Sequence, residues 1–308
     1  MIETKIKKVI LWGHKLHSHT HSYIHFGFKK AFEYLNYETL WLDNTDNIDN
    51  IDFTNSLFIT EGQVDSKIPL LNNCYYVLHN CNLEKYYNNI SFNNIILLKV
   101  YTNFKPTNSI KIENEELSFY DDNWLITTWA TDLLPNEIQE NINLLNDNKI
   151  INDEPKTLQF IGMPLYPWDL VDNFCKNNNI LYRQCGGFSN NNVSSEENMK
   201  LIQSSYLSPA IQSKWQVDNH YIPCRIFKNI SYGKIGITNN KGVYELFNRQ
   251  VLFDTNIDEL LKKSIIFENK TNDYKNHQIT LLMEYVKNYH TYLNRIKCIF
   301  FLLNKLNL

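Results

Sequence analysis

Five of the nine histidines in this chain lie in one short segment, GHKLHSHTHSYIH, at positions 13–25. They are His14, His17, His19, His21 and His25. An imidazole can act as a base near neutral pH, and in its neutral form it can bind zinc. His17, His19 and His21 alternate, so an extended backbone would put them on one face, where a fourth histidine could complete a tetrahedral set. No cysteine is near, and the segment is more typical of a loop that enters a helix, so we predict no bound metal.

A carboxylate candidate, Glu61, lies in the segment FITEGQ, where a predicted strand ends and a glycine follows. Ligands of α/β sheets bind beyond the carboxyl ends of the strands, so a side chain at this point is well placed for catalysis. Glu61 could act as a base, or it could orient a histidine. A solvated turn residue is the alternative interpretation, and both stay open.

Composition and charge exclude several classes of protein. The formal net charge is −3 and the pI about 6.3, so the chain lacks the basic field that attracts nucleic acid. The first apolar run stops at Gly13, and Lys305 interrupts the apolar segment near the other end, so we predict neither a signal peptide nor a transmembrane segment. Six scattered cysteines favour reduced thiols in a cytoplasmic protein. Frequent Asn, Ile and Lys suggest an AT-rich genome, such as that of a large DNA virus.

Short apolar runs alternate with helical patterns in the first half of the chain. The predicted strands are KKVILWG, YETLWLDN, SLFITEG, CYYVLHNC and NIILLKVYT, each bounded by Asn, Asp or Gly. SYIHFGFKKAFEYLNY has helical spacing, and LPNEIQENINLL predicts a helix with Pro135 in its first turn. This alternation predicts a largely parallel sheet with helices on both faces.

The alternation begins again after the polar stretch NDNKIINDEPK at 146–156. TLQFIGM, ILYRQCGG, SYLSPAIQ, KIGITN and VLFD are the predicted strands here, and helical segments separate and follow them. We therefore predict an α/β chain of two Rossmann-like, doubly wound parallel-sheet domains, residues 1–150 and 151–308, that face a central cleft. Ligands of such sheets bind in that kind of crevice.

Basic and amide side chains in the second half could hold a diphosphate. Arg225 lies in the first turn of a predicted helix, where the guanidinium and free N–H groups can bind phosphate oxygens. The loop ITNNKG places Thr238, Asn239 and Asn240 before another predicted helix start. On spacing alone, Arg225 could equally pair with a surface carboxylate.

The segment YIPCRIFKNISYGKIGITNNKGVYELF resembles the donor-binding segment of GT-B glycosyltransferases. In that segment a helix with an Arg and a Phe ends at a glycine, and a later helix ends in ELF. It is most similar to the R-x-F-E-x-x-x-x-G pattern of the spore-maturation-protein-like branch of the group 1 glycosyltransferases, with Arg225, Phe227 and Gly233 at matching positions. Lys228 replaces the glutamate that usually meets the donor ribose, and a lysine can meet a diphosphate instead. The resemblance covers residues 157 to about 270.

The resemblance implies a hexosyl- or deoxyhexosyl-transferase that moves a sugar from a nucleotide-diphosphate sugar to a hydroxyl of a glycan or glycoconjugate. It implies no metal and no cofactor, an acceptor domain in the first half and a donor domain in the second. His19, in the middle of the histidine loop, is then the predicted base, with His21 as the alternate. The implied donor-binding residues are Tyr221, Arg225, Lys228, Ser231, Thr238, Asn239 and Asn240.

Two aromatic residues and two other functions stay open. Trp129 and Trp168, near predicted strand-to-helix junctions, could stack on a sugar or a base, although large aromatic side chains are more often part of a core. A histidine-rich metal-dependent hydrolase is one alternative function. A non-catalytic protein that binds a nucleotide or a carbohydrate is the other.

Overall fold

The computed structural model describes residues 2–15, 20–101, 106–163, 168–186 and 193–308. These residues form two compact units. The first unit comprises residues 2–15, 21–132 and 292–308, and the second comprises residues 133–291. Strands and helices carry numbers in chain order across both units.

The first unit is built on one mixed sheet. Its strands are β1 (Lys8–Trp12), β2 (Glu38–Leu42), β3 (Ser56–Glu61), β4 (Tyr75–His79), β5 (Ile95–Lys99), β6 (Asn108–Ile112), β7 (Glu115–Asp121) and β8 (Trp124–Ile126). They lie in the order β2–β1–β3–β4–β5–β8–β7–β6. The first five strands and β8 are parallel, whereas β7 pairs antiparallel with both β8 and β6.

Burial explains why the central strands are so apolar. Every residue of β3 and of β4 is buried, as expected for parallel strands that are covered on both faces. The predicted parallel sheet is confirmed. The hairpin of β6 and β7 is an addition that the sequence analysis does not predict, because its strands are partly exposed and carry many charged residues.

Three α-helices of the described residues belong to the first unit. They are α1 (Thr20–Tyr34), α2 (Leu83–Tyr87) and α11 (Tyr292–Leu306). α11 packs against β5 and β7, and its buried Arg295 donates hydrogen bonds to the carbonyl oxygens of Thr128 at 2.8 Å and Trp129 at 3.2 Å. The second unit begins at Leu133, and residues 292–308 join the first because the sheet covers the apolar face of their helix.

The second unit has short parallel strands and most of the helices. Its strands are β9 (Thr157–Ile161), β10 (Leu181–Cys185), β11 (Ile237–Thr238) and β12 (Leu252–Phe253). Its helices are α3 (Pro135–Asn146), α4 (Trp168–Asn177), α5 (Ser195–Ser204), α6 (Lys214–Asp218), α7 (Cys224–Ser231), α8 (Lys241–Leu246), α9 (Ile257–Glu268) and α10 (Asn272–Tyr289). The predicted alternation of strands and helices is therefore present in this unit as well.

One extended segment joins the two strand pairs of the second unit. β9 pairs with β10, and β11 pairs with β12, both in parallel. The amide of Gln159 in β9 donates to the carbonyl of Leu207 at 2.8 Å, and the amide of Ala210 donates to the carbonyl of Ile237 in β11 at 2.8 Å. The segment SYLSPAIQ, predicted as a strand, thus lies between β9 and β11 and forms one isolated parallel bridge, between Leu207 and Leu158.

Two further sequence expectations concern cysteines and membranes. The six cysteines are free, and Cys74, Cys175 and Cys298 are buried. Among the described helices, none combines the length and the apolar composition that crossing a bilayer requires.

Candidate functional site

The carboxyl ends of the parallel strands in the first unit bring several functional side chains to one edge. β3 ends at Glu61 and β4 ends at His79, and these residues are direct partners in the strand register. His14 follows the end of β1 by two residues, and His21 lies in the first turn of α1. Because parallel strands end at the same edge, all four lie where α/β sheets bind ligands.

The Glu61 carboxylate is the centre of this group. It is 1% exposed, and one of its oxygens pairs with Nδ1 of His21. Its other oxygen lies 3.7 Å from Nε2 of His14. A buried carboxylate is strongly disfavoured unless it is paired and hydrogen-bonded, and the imidazoles supply that pairing. If Nδ1 of His21 carries its hydrogen towards Glu61, Nε2 is the ring nitrogen that can accept a proton.

His79 lies beside His21, and its own surroundings hold it neutral. The two ring centroids are 5.4 Å apart. Nδ1 of His79 lies 3.3 Å from the carbonyl oxygen of Leu98, and Nε2 lies 3.1 Å from the amide nitrogen of Asn80, so Nδ1–H donates and Nε2 accepts. Burial lowers the pKa of His79 from 6.5 to about 4, and nearby His21 acts in the same direction. His79 therefore forms an uncharged wall of the site.

Aromatic rings and a glycine complete the surroundings of His21. The Trp129 ring lies edge-on to His79, with centroids 5.1 Å apart, and edge-on to His21, at 6.3 Å. Trp129 is 4% exposed, so its ring packs among the histidines. A β-carbon on Gly13 would overlap the buried ring of His25, so the glycine that follows β1 is what lets this histidine pack.

The structure brings together two of the three predicted catalytic residues, His21 and Glu61. The preferred base His19 lies outside the described residues, as does His17. Within the described ranges, no group of three or more His, Cys, Asp or Glu side chains could hold a metal ion. His79 is not among the predicted site residues, although its position at a strand end, like that of Glu61, is a signal in the sequence.

A second candidate site lies at the carboxyl end of β9, in the second unit. Arg225 is the second residue of α7, and its Nε donates to the carbonyl oxygen of Ile161 at 2.7 Å. Its guanidinium carbon lies 4.0 Å from the centroid of the Phe160 ring. Burial lowers the pKa of Arg225, but an arginine remains a cation in proteins. Trp168 packs against Phe160 with centroids 3.9 Å apart and is 9% exposed.

The terminal nitrogens of Arg225 are the distinctive feature of this second site. Among the described residues, neither of them has a hydrogen-bond acceptor. Two glycines with positive φ shape the surroundings, Gly162 at +129° and Gly186 at +79°. The side-chain amide of Gln184 donates to the carbonyl oxygens of both, at 2.6 and 2.9 Å. Arg225 is therefore held at the end of β9, and Gln184 in turn holds the two glycines that follow β9 and β10.

Three other predicted donor-binding residues lie on α7 or just before it. Lys228 follows Arg225 by three residues, so the two cations are neighbours on one helix face. Lys228 is 6% exposed, and its Nζ lies 5.9 Å from the centroid of the Tyr232 ring. The Ser231 hydroxyl donates to the carbonyl oxygen of Lys228 at 3.0 Å, and the carbonyl oxygen of Tyr221 accepts from the side chain of Gln212 at 2.9 Å.

The loop that precedes α8 is closed by a hydrogen-bond network. The side chain of Asn239 accepts from the backbone amide of Gln212 and donates to its carbonyl oxygen, both at 2.9 Å. Asn240 accepts from the amide of Gly242 at 2.8 Å and donates to Oε1 of Gln212 at 2.9 Å. The Thr238 hydroxyl oxygen accepts from the amide of Asn240 at 3.1 Å. Gln212, 3% exposed, is the centre of this network and is a residue that the sequence analysis misses.

No known protein family matches the sequence, and no curated protein is significantly similar to it. Comparison with solved structures gives several matches. An alpha-glucosyltransferase (AGT) in complex with UDP aligns over 96% of this chain and 99% of that chain, with 8% identity and a TM-score of 0.56. An alpha1,3-fucosyltransferase aligns over 99% and 91%, with 11% identity and a TM-score of 0.45. The wall teichoic acid polymerase TagF aligns over 99% and 89%, with 13% identity and a TM-score of 0.36.

The likeness to the glucosyltransferase extends over nearly all of both chains, and at this identity it shows the fold. It confirms the predicted fold class, an α/β chain of two Rossmann-like domains of the GT-B type. The narrower resemblance to the spore-maturation-protein-like branch stays a prediction.

Proposed function

We propose that this chain is a glycosyltransferase that moves a sugar from a nucleotide-diphosphate sugar to a hydroxyl group of a glycan or glycoconjugate. The observation that carries the proposal is Arg225, held through Nε at the carboxyl end of β9 while its terminal nitrogens have no acceptor among the described residues. A guanidinium presented in this way suits the oxygens of a diphosphate. The fold that the chain shares with a glucosyltransferase in complex with UDP supports this choice of ligand.

The donor half of the proposal uses the cations of α7. Arg225 and Lys228 would stabilise the negative charge that develops on the leaving diphosphate. Because side chains supply this positive charge, the proposed reaction needs no metal ion. Tyr221 and Ser231 would border the same site, and the Thr238–Asn240 loop would shape it through the network around Gln212. The transferred sugar would be a hexose or a deoxyhexose.

The acceptor half of the proposal uses the pair of His21 and Glu61. With Nδ1 bonded to Glu61, the neutral His21 ring carries its lone pair on Nε2, which would take the proton of the acceptor hydroxyl. Glu61 would orient the ring and stabilise the imidazolium that forms. His19, the preferred base in the sequence analysis, remains the alternative candidate for this role.

Donor binding tests the proposal directly. Uridine, guanosine, cytidine and thymidine diphosphates would be titrated into the native protein and into the Arg225→Ala and Arg249→Ala variants by calorimetry. Arg249 pairs with Glu245 on the exposed surface of the second unit, so its loss controls for the removal of one positive charge. Each charge-assisted hydrogen bond contributes about 1.5–3 kcal/mol, so Arg225→Ala should weaken diphosphate binding by about 10- to 150-fold. Equal affinities in all three proteins would rule out this donor site.

Measuring turnover distinguishes the proposed glycosyltransferase from a non-catalytic binding protein and from a metal-dependent hydrolase. Release of nucleoside diphosphate from the donor that binds, in the presence of hydroxyl acceptors, is the expected result. A protein that binds the donor but never turns over with any acceptor would be a non-catalytic binder. One tightly bound zinc ion together with activity that a chelator abolishes would instead indicate a histidine-dependent hydrolase.

A further inference from the structure

The second unit contains a pocket of about 210 Å³ that the proposed reaction does not use. Residues 150–152 precede β9 and Lys234 precedes β11, so this pocket lies at the amino-terminal edge of the strands, at the opposite end from Arg225. Its lining includes Leu145, Ile150, Asn152, Glu268, Lys275 and Ile279. The volume equals the liquid volume of roughly seven water molecules, which is enough for a small organic molecule.

Lys234 is the buried cation of this pocket. It is 6% exposed, and its Nζ donates to the side-chain oxygen of Asn152 at 2.7 Å and to the carbonyl oxygen of Ser205 at 2.5 Å. Both acceptors are uncharged, and an ammonium group has a third N–H to donate. A buried charge without an ionic partner is strongly disfavoured, so an anion at this position would be stabilising.

The carboxylates nearest to Lys234 already have cations of their own. Glu268 lies 3.2 Å from the ammonium of Lys275, and Asp153 lies 3.6 Å from the guanidinium of Arg183. The charged side chains that line this pocket are the cations Lys234 and Lys275 and the carboxylate Glu268. Glu268 contacts Lys275, so the excess positive charge of the lining falls on Lys234.

We propose that this pocket binds a small monocarboxylate, with its carboxylate on the ammonium of Lys234 and its short aliphatic part against Ile150 and Ile279. One excess positive charge matches a monoanion better than a dianion such as phosphate. The apolar side chains beside the lysine suit a tail that phosphate and halide ions lack. This site is independent of the proposed donor site, so either one can fail without the other.

The groups around Lys234 make the affinity for the carboxylate depend on pH. Burial lowers the pKa of Lys234 from 10.5 to about 8, Glu268 and Asp153 oppose that shift, and Lys275 adds to it. The carboxylate requires the protonated ammonium, so its affinity falls as the pH rises through this range. By linkage, the bound carboxylate raises the pKa of Lys234.

Sodium propionate is the probe for this site, and its binding is followed by calorimetry and by NMR of the lysine side chains in the native protein. We expect one saturable site, an upward shift of the Lys234 pKa, and affinity that falls about tenfold per pH unit well above that pKa. Lys234→Met keeps the length of the side chain, removes its charge and should abolish binding. Lys149→Met removes the same charge from an exposed pair with Asp147, 2.8 Å apart, and should bind as the native protein does.

Binding of other anions and an NMR titration of the native protein provide further tests of the proposal. Phosphate that binds more tightly than propionate, or chloride that binds equally well, would overturn the choice of a monocarboxylate. Undiminished propionate binding by Lys234→Met would overturn the choice of site. Should that variant fail to fold, the NMR titration of the native protein decides, because an unchanged Lys234 pKa at high propionate concentration contradicts the proposal.

Discussion

Arg225 lies in the space that a side chain at Gly162 would need. A β-carbon built on Gly162 would overlap Nη2 of the arginine, and the φ of this glycine is +129°. The glycine that follows β9 therefore lets Arg225 fold back over the strand end and bond to the carbonyl oxygen of Ile161. The position of the proposed diphosphate ligand depends on the absence of one methyl group.

Gly162→Ala should displace Arg225 and weaken diphosphate binding by about tenfold or more, because the guanidinium must leave its place beside Ile161. The positive φ should also lower the free energy of unfolding by about 1–3 kcal/mol. Calorimetry and urea denaturation measure the two effects separately. Gly186→Ala is the matched control, since its φ is +79° but its β-carbon would approach no atom of Arg225 within 4 Å. If both variants bind the diphosphate as the native protein does, Arg225 does not hold it.

Glu61→Gln should slow sugar transfer by about 100-fold or more while leaving donor affinity unchanged. The amide keeps the shape of the carboxylate but cannot stabilise the imidazolium form of His21. Initial rates under saturating donor measure the effect. Glu38→Gln, which changes an exposed carboxylate 3.0 Å from Lys8, should be as active as the native protein. A rate within twofold of the native rate in Glu61→Gln would exclude the proposed pair as the base.

His79 should make the protein less stable as the pH falls. Its folded-state pKa of about 4 lies below the ordinary 6.5. Between these two pH values His79 therefore binds a proton in the unfolded chain but not in the folded protein. The stabilisation is complete above pH 6.5 and is lost as the pH falls to 4, by up to about 3 kcal/mol. Urea denaturation across this range should show a shallower pH dependence in His79→Gln. His277→Gln, an exposed histidine on α10, should retain the native slope, and equal slopes in all three proteins would contradict the prediction.

Asn240→Ala should destabilise the second unit more than the loss of a helix cap explains. Asn240 caps α8 and also donates to Gln212 and Tyr221 in a buried network. Asn256→Ala removes a comparable but exposed cap from α9 and should lower the free energy of unfolding by about 1 kcal/mol. The buried acceptors left without a donor should bring the loss in Asn240→Ala to about 2–4 kcal/mol. Equal losses would mean that the network adds nothing to the cap.

The parts of the fold with strong local signals were predictable from the sequence. The buried strands consist of uninterrupted apolar runs, and Glu61 stands at a strand end before a glycine, so both could be located along the chain. The packing of α11 against the first sheet and the role of Gln212 could not be predicted from the sequence. An apolar helix face does not specify which sheet covers it, and a glutamine at the centre of a buried network has no distinctive neighbours in the sequence.

The separation of α11 from the rest of its unit has a consequence for how the chain folds during synthesis. The ribosome delivers Leu133–Thr291 before Tyr292–Leu308, so the second unit can become complete while the first still lacks the helix that covers β5 and β7. Arg295 contacts Thr128 and Trp129, which are far from it in the sequence, so these contacts form late in folding. Until then the apolar surface of β5 and β7 that α11 covers is exposed to water, so we expect chaperones to bind a nascent chain that ends at Thr291.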